Sequence, residues 1–508
     1  MLGEKSGEVH SSGMSVIAQE RVDRLAIFVL LVLAGVLSYM TFEWGGVVRN
    51  GRYQYLLVLG LLAMLMSLGG SWKGRSPLLG SVLWWAAVLL PAYVLLQVVP
   101  LPLAMLRVLS PMRAEAMDAL GPVGAKTSFA PLSVFPAGTF QYFLLVCGYL
   151  VTFLLIRELT LRLRDRRWLV IWPVIGIAAL EAGLGLWQYF GGTREQIRWG
   201  TYANHNHYAG FLEMALPFAV MCPLVILRRG RSGWHASAPR ALAASGVWAL
   251  AVLVFAGIII SLSRMGFIAA LSSLFVMGAL ALLTTQLNWV KRSRSRRSVG
   301  VGVVAALVLA GFVLLPPNRL IQRFGEFVSV DGPTSGGRTV LWAEAIPLIR
   351  AYSVFGCGLG GYETAFSRFK ISGMLLTVDF AHNDYLQLFA ELGLIGFVIG
   401  AALAFSVVSA ALLGAMKSAD PQARHFGVAC IGALTAIAVH SLADFNLYIP
   451  ANAMLLAWIA GVAVAVGSEP MRGRPNTTQF GAVDQPQATP VGVFHLTRQI
   501  EVSIGRPK

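Results

Sequence analysis

Two arginines and a histidine have side chains and settings that suit chemistry on a phosphate-bearing substrate. Arg264 lies in SLSRMGF, between two apolar segments that leave almost no loop, and Arg338 follows a pair of glycines at the start of a helical pattern. A guanidinium beside the N–H groups of a helix start favours an anion, above all a phosphate. His382 opens AHNDYLQLF, where capping by Asn383 or Asp384 leaves the imidazole at the outer end of a helix. Histidine accepts protons near neutral pH, so this residue is a candidate base.

Each of the three also has a purely structural interpretation. Arg338 could be an ordinary surface arginine after a flexible turn. Arg264 could extend to the outer lipid headgroups, and His382 could be a helix-end histidine that bonds to the backbone. An arginine held at a membrane surface is costly without a partner. Other ionisable groups nearby would therefore favour the functional interpretation.

Such groups do lie within the apolar segments. Glu213 and Glu391 lie about five and nine residues below the outer ends of their segments, so roughly 8 and 13 Å deep at ~1.5 Å per residue. His440 and Asp444 are four residues apart on one helical face. For each carboxylate the alternative is to hold helices together or to neutralise an arginine. The candidates for sugar contacts, or for support of the arginines and the histidine, are Asn206, Glu213, Asp384, Tyr385, Glu391, His440 and Asp444.

The sequence does not predict a metal or cofactor site. The outer loops lack a D-x-D pair, no cluster of His, Asp and Glu has ligand spacing, and the four cysteines lie far apart. The run GCGLGG at Gly356–Gly361 fits a dinucleotide motif formally, but no strand precedes it, so a tight turn is expected. We expect arginine, and not a metal, to balance the charge of a phosphate.

The elements that position these residues are membrane spans. Of the 508 residues 56% are hydrophobic and only 13% charged, which excludes a water-soluble globule and predicts an all-α integral membrane protein. Twelve apolar runs have lengths near the ~20 residues that cross a bilayer. They are 25–42, 53–70, 78–98, 138–157, 168–190, 208–227, 243–262, 265–287, 299–316, 383–414, 425–443 and 451–467.

The basic residues orient these spans. The net charge of +16 comes with most Lys and Arg in the segments that are cytoplasmic if the N-terminus is inside, so both termini are predicted to be cytoplasmic. The clusters at 162–167 and 291–297 indicate anchors that face anionic lipid and not a nucleic-acid site.

Three regions follow from this orientation. They are a cytoplasmic N-terminal segment (1–24) that is not a removable signal peptide, a membrane domain (25–467) and a disordered cytoplasmic tail (468–508). Two large outer loops, 99–137 and 317–382, carry short helical patterns. Function is therefore expected on the outer face.

Several motifs in this order resemble the O-antigen ligase and polymerase family. They are S-x-S-R-x-G at 261–266, G-R-x-x-x-W at 337–342, the G-x-G-x-G turn, and AHNDYLQ with ELGLIG between 381 and 396. PLSVFPAGT at 131–139 and GTYANHNHYAGF at 200–211 extend the resemblance over nearly the whole membrane part.

The resemblance implies a C-type membrane glycosyltransferase in the bacterial inner membrane. Such an enzyme takes a glycan from undecaprenyl diphosphate on the periplasmic side and passes it to an acceptor hydroxyl without a metal. By the same resemblance Arg264 and Arg338 hold the lipid diphosphate and His382 serves catalysis. Fixed guanidiniums in a poorly hydrated cavity would stabilise the leaving diphosphate, and attack from the opposite side would invert the sugar carbon.

Other functions remain open. A ligase uses lipid A core as acceptor and a polymerase a second lipid-linked glycan, and the two share donor and chemistry. Outside this class, a flippase or transporter could use the same arginines to guide an anionic cargo, and a scaffold would need no working histidine.

Overall fold

The structure is a computed structural model that describes residues 5–68, 79–123, 127–191, 199–228, 238–286, 338–371 and 377–469. These residues are mostly helical, which confirms the all-α class. The helices are α1 (Lys5–Phe42), α2 (Arg49–Leu68), α3 (Ser81–Leu96), α4 (Leu103–Leu109), α5 (Pro111–Asp118), α6 (Pro136–Arg162), α7 (Trp168–Gly191), α8 (His205–Arg228), α9 (Ala238–Ile260), α10 (Arg264–Gln286), α11 (Arg338–Ala351), α12 (Tyr362–Phe366), α13 (Asp384–Lys417), α14 (Pro421–His440) and α15 (Pro450–Gly467). A two-residue antiparallel ladder joins β1 (Leu101–Pro102) to β2 (Phe129–Ala130).

Nine of the described helices are long and apolar enough to cross a membrane. Two more, α2 and α3, contain shorter apolar stretches at Gln54–Leu65 and Ser81–Leu96. These eleven correspond to eleven of the twelve expected spans. The twelfth, 299–316, lies outside the described residues, as do the basic run 291–297, residues 317–337 and 372–376 of the second outer loop, and the tail from 470. The total of twelve therefore stays a prediction.

The core of the helix bundle lies around α8 and α15, which are its most enclosed spans. Trp458 of α15 is fully buried and donates from Nε1 to the carbonyl of Val170 in α7, at 3.1 Å. Small residues let helices approach closely: a Cβ at Gly461 would lie 2.7 Å from the carbonyl oxygen of Phe153 in α6. This close packing gives the site a rigid base.

Helix α13, the second-longest of the described helices, is interrupted near its start. Gly393 has φ 61° and ψ −170°, which only glycine adopts readily. The N–H groups of Leu394 and Ile395 donate to the carbonyls of Ser353 and Val354, at 2.8 and 3.2 Å. The loop before α12 thus fills the break, which separates the first nine residues of α13 from the rest of the helix.

The helix ends separate the ionisable residues into two groups. At one end buried Arg167, just before α7, pairs with Asp420, which precedes α14, and with Glu469, which follows α15. At the other end lie the starts of α8, α10 and α13, the end of α14 and the expected site residues. This alternation agrees with the expected topology, while the side that each end faces stays a prediction.

Candidate functional site

His382 is held at the start of α13 by the residue that follows it. Asn383 caps the helix, with Oδ1 accepting from the N–H groups of Tyr385 and Leu386 at 3.0 and 3.1 Å. His382 itself has φ 49°, in the left-handed region that histidine enters more readily than most residues. Its side chain is 33% exposed, and Nδ1 lies 3.5 Å from Oδ1 of Asp444. The imidazole is thus fixed on one edge and open on the other.

Asp444 lies in the corner 441–449, the segment between α14 and α15. The same Oδ1 is also 3.7 Å from Nε2 of His207, in the first turn of α8, so one carboxylate faces two imidazoles. Both rings stand edge-on to Phe445, with centroids 4.6 and 4.9 Å away. Burial alone would raise the pKa of Asp444, but its polar contacts with His207 and His382 and the nearby charge of His440 hold that pKa well below its ordinary value. Asp444 is therefore a carboxylate at neutral pH.

Arg338 and Trp342 attach α11 to this corner. Nη1 of Arg338 donates to the carbonyl of Ala443 at 2.6 Å, and Nε1 of Trp342 donates to the carbonyl of Ala381 at 2.9 Å. These acceptors are the chain neighbours of Asp444 and His382. The i, i+4 spacing in G-R-x-x-x-W puts both donors on one face of α11. The motif thus brings a guanidinium to the same small region as the imidazole.

Arg264 begins α10, and the serines of its motif shape the turn before it. Oγ of Ser261 accepts from the N–H of Ser263, and Oγ of Ser263 accepts from the N–H of Gly266, both at 3.1 Å. Gly266 packs against α8, where a Cβ would lie 2.5 Å from that of Ala209. Arg264 is therefore partly buried beside the helix start that carries His207.

Residues 249–401 match the family model described as O-antigen ligase. This segment, less than half of the chain, is similar to the O-antigen ligase family. The match confirms the resemblance that the motifs indicated. It contains Arg264, Arg338 and His382, while His207 and Asp444 lie on either side of it. No curated protein matches the chain.

Asp384, which lies within the matched range, bonds to the corner 441–449. It is fully buried, and Oδ2 accepts from the hydroxyl of Ser441 at 2.7 Å and from the N–H of Leu447 at 3.3 Å. Its own N–H donates to the carbonyls of Ser441 and Asp444. The hydroxyl of Tyr385, a half-exposed side chain, donates to the carbonyl of Ala438 at 2.8 Å. These contacts place Asp384 in a supporting position directly beneath His382.

Glu391 supports the glycine turn of the family motif. Its carboxylate accepts from the N–H groups of Gly360 and Tyr362, at 2.8 and 3.2 Å, and from the hydroxyl of Tyr448 at 2.7 Å. The run 356–361 is a tight turn, as expected, with positive φ at its three alternate glycines. Glu391 therefore joins α13 to the glycine turn, while a role in transfer stays a prediction.

Asn206 and the pair Glu213–His440 complete the candidates. Asn206 is nearly buried in the first turn of α8, and its N–H donates to Oδ1 of Asn204 at 2.8 Å. Nδ1 of His440 lies 3.0 Å from both carboxylate oxygens of Glu213, and both side chains are fully buried. This pair joins α8 to the end of α14, just below the corner.

His207 is the residue that sequence reasoning missed. The segment NHNHY contains two histidines and two asparagines, and the resemblance of GTYANHNHYAGF to the family indicated only Asn206. Only the fold brings His207 to Asp444, because the two residues lie on different helices far apart in the chain. In the part of the chain that the structure describes, no group of three or more His, Cys, Asp or Glu side chains is arranged to hold a metal ion.

Proposed function

We propose that the chain is a membrane glycosyltransferase of the ligase type. It moves a glycan from undecaprenyl diphosphate to a hydroxyl of lipid A core, on the periplasmic face of the bacterial inner membrane. The observation that supports this most is the contact between His382 and the carboxylate of Asp444, with Arg338 bonded to the residue next to that carboxylate.

The contact with Asp444 supports Nε2 of His382 as the nitrogen that reacts. Because Nδ1 faces Asp444, it carries the proton, and Nε2 is left as the basic nitrogen on the exposed side. Nε2 takes the proton from the acceptor hydroxyl as its oxygen attacks the anomeric carbon. The negative charge of Asp444 stabilises the imidazolium that forms, as in other base–carboxylate pairs.

The arginines act on the leaving group. As the bond between the anomeric carbon and the phosphate oxygen breaks, negative charge grows on the undecaprenyl diphosphate. A guanidinium has five N–H donors, so the bond from Arg338 to Ala443 fixes its position and still leaves donors for phosphate oxygens. Arg264 supplies a second positive charge from the start of α10. Attack from the side opposite the diphosphate inverts the sugar carbon.

Reconstitution with two acceptors tests this function. The full chain in proteoliposomes would receive undecaprenyl-diphosphate glycan, with or without lipid A core. We expect one product, in which the glycan is joined to lipid A core. A ladder of longer lipid-linked glycans without lipid A core would indicate a polymerase instead, and movement of the donor across the bilayer without bond formation would indicate a transporter.

Arg338→Lys tests the role of the arginine. Lysine keeps the positive charge, but it lacks the planar guanidinium that can donate to a phosphate and to the carbonyl of Ala443 at the same time. We expect transfer to fall at least about 100-fold while the chain still inserts, a loss typical of a missing transition-state donor. Arg107→Lys is the matched control, because Arg107 is exposed and pairs only with exposed Asp118 among the described contacts. Equal activity of the two variants would contradict the role of Arg338.

A further inference from the structure

The mechanism above does not use the buried pair Glu213–His440. Both side chains are fully buried, and the imidazole Nδ1 is equidistant from the two carboxylate oxygens. Two ionisable groups are costly to keep inside a membrane bundle, and apolar side chains of similar volume would join α8 to α14 at lower cost. The pair therefore calls for a role beyond helix packing.

Its position suggests that role. His440 is the last residue of α14, and its carbonyl accepts from the N–H of Ala443, so Asp444 follows within one turn of chain. His440 interacts electrostatically with four titratable groups. They are Glu213 and His207 from α8, Asp384 from α13, and Asp444 from the corner. Three of these four are carboxylates, and Glu213 is the one in direct contact.

The pair has a direction. With the proton on His440 and the negative charge on Glu213, the positive end lies on the residue that leads into the corner. The charge of His440 is among the causes that hold the pKa of Asp444 well below its ordinary value. A neutral residue at 440 would remove this stabilisation of the carboxylate, and a neutral partner at 213 would remove the carboxylate that His440 contacts.

We propose that Glu213 and His440 are positioning residues for the transfer: as an ion pair they hold the corner 441–449 against α8 and keep Asp444 in the carboxylate form that His382 requires. This inference rests on the proposed function. It adds two residues that contact neither the donor nor the acceptor. The positive charge must lie on His440 and the negative charge on Glu213 for the pair to act in this way.

Glu213→Gln and His440→Gln test the charge. Each full-length variant would be reconstituted with undecaprenyl-diphosphate glycan and lipid A core, and kcat and the donor KM would be measured from pH 4 to 9. We expect kcat at pH 4, on the acidic limb of the profile, to fall up to about tenfold as that limb moves up by about one pH unit, which corresponds to a tenfold change in protonation. The donor KM should stay within about twofold, since the arginines are intact.

A charge swap separates positioning from packing. The double variant Glu213→His with His440→Glu restores an ion pair between α8 and α14, but it puts the negative end beside Asp444. We expect its thermal stability to recover towards that of the wild type while the acidic limb stays displaced. Recovery of the wild-type pH profile by the swap would overturn the proposal. Single variants that unfold more easily but keep the wild-type pH profile would also overturn it, because the pair would then serve the fold alone. The same holds if all the variants fail to fold.

Asp420→Asn is the matched control, because it breaks the pair with buried Arg167 at the opposite end of the bundle. It should lower the unfolding temperature and leave the pH profile unchanged. A wild-type chain that forms no product would overturn the proposed function together with this inference. An active wild type with unmoved variant profiles would overturn this inference alone.

Discussion

At the scale of single residues, Asp444 connects the parts of the site. It faces His382 and His207, and its chain neighbour Ala443 accepts from Arg338. We expect Asp444→Asn to lower kcat roughly 100-fold or more, because asparagine can still orient the imidazole but cannot stabilise an imidazolium. The transfer rate at constant pH measures this. Asp118→Asn, on the exposed partner of Arg107, should leave the rate unchanged, and a rate for Asp444→Asn within about threefold of the wild type would contradict the role.

The pKa of Asp444 also predicts how stability depends on pH. A carboxyl group whose pKa is lower in the folded chain than its unfolded value, about 3.9, stabilises the fold above that value and loses this effect as the pH falls through the folded pKa. Asp444→Asn should therefore lower the unfolding temperature at pH 7, and the gap to the wild type should narrow below about pH 4. Thermal unfolding in detergent across this range measures the gap. A gap of constant size would contradict the predicted direction.

The candidate site residues have local signals in the sequence, whereas their partners do not. Arg338 and His382 have local signals, namely glycines before a helix and a capping asparagine after a histidine. The contacts of Asp444 with His207, and of Glu391 with the glycine turn, join distant segments. A single sequence shows the cost of a buried carboxylate but not which backbone or side chain satisfies it.

At the scale of elements, the break in α13 sets the height of His382 above the span. A Cβ at Gly393 would lie 2.4 Å from the carbonyl oxygen of Val354, in a backbone conformation that disfavours side chains. Gly393→Ala should destabilise the fold by at least about 1–3 kcal/mol and reduce transfer. Gly400→Ala is the control in the same helix: no atom lies within 4 Å of its added Cβ, and alanine favours a helix by about 1 kcal/mol. Unfolding temperatures compare the two, and equal values would contradict the account of the break.

Hydropathy predicted the spans because each is a local apolar run, and eleven of the twelve have described counterparts. The break at Gly393 was not predicted. ELGLIGF is an ordinary helical pattern, and the interruption depends on carbonyls of Ser353 and Val354 that come from another segment. Long-range backbone pairing of this kind leaves no periodicity in the sequence.

At the scale of the whole molecule, the two groups of helix ends predict opposite sides of the membrane. Val108 in α4, which follows α3, is 80% exposed, and Arg166 is exposed near the Arg167 cluster. With both termini cytoplasmic, Val108→Cys should react with a membrane-impermeant thiol reagent in spheroplasts. Arg166→Cys should react only after permeabilisation. Three of the four native cysteines are buried, so the background should be low. The reverse pattern would contradict the orientation.

In the proposed mechanism His382, backed by Asp444, is the base for glycan transfer from a lipid diphosphate. The most direct measurement is the rate at which reconstituted His382→Asn releases undecaprenyl diphosphate in the presence of acceptor. Asparagine tolerates the left-handed φ of this position, so the fold should be kept. We predict release at least about 100-fold slower than in the wild type with donor affinity unchanged. Release at the wild-type rate would contradict the account.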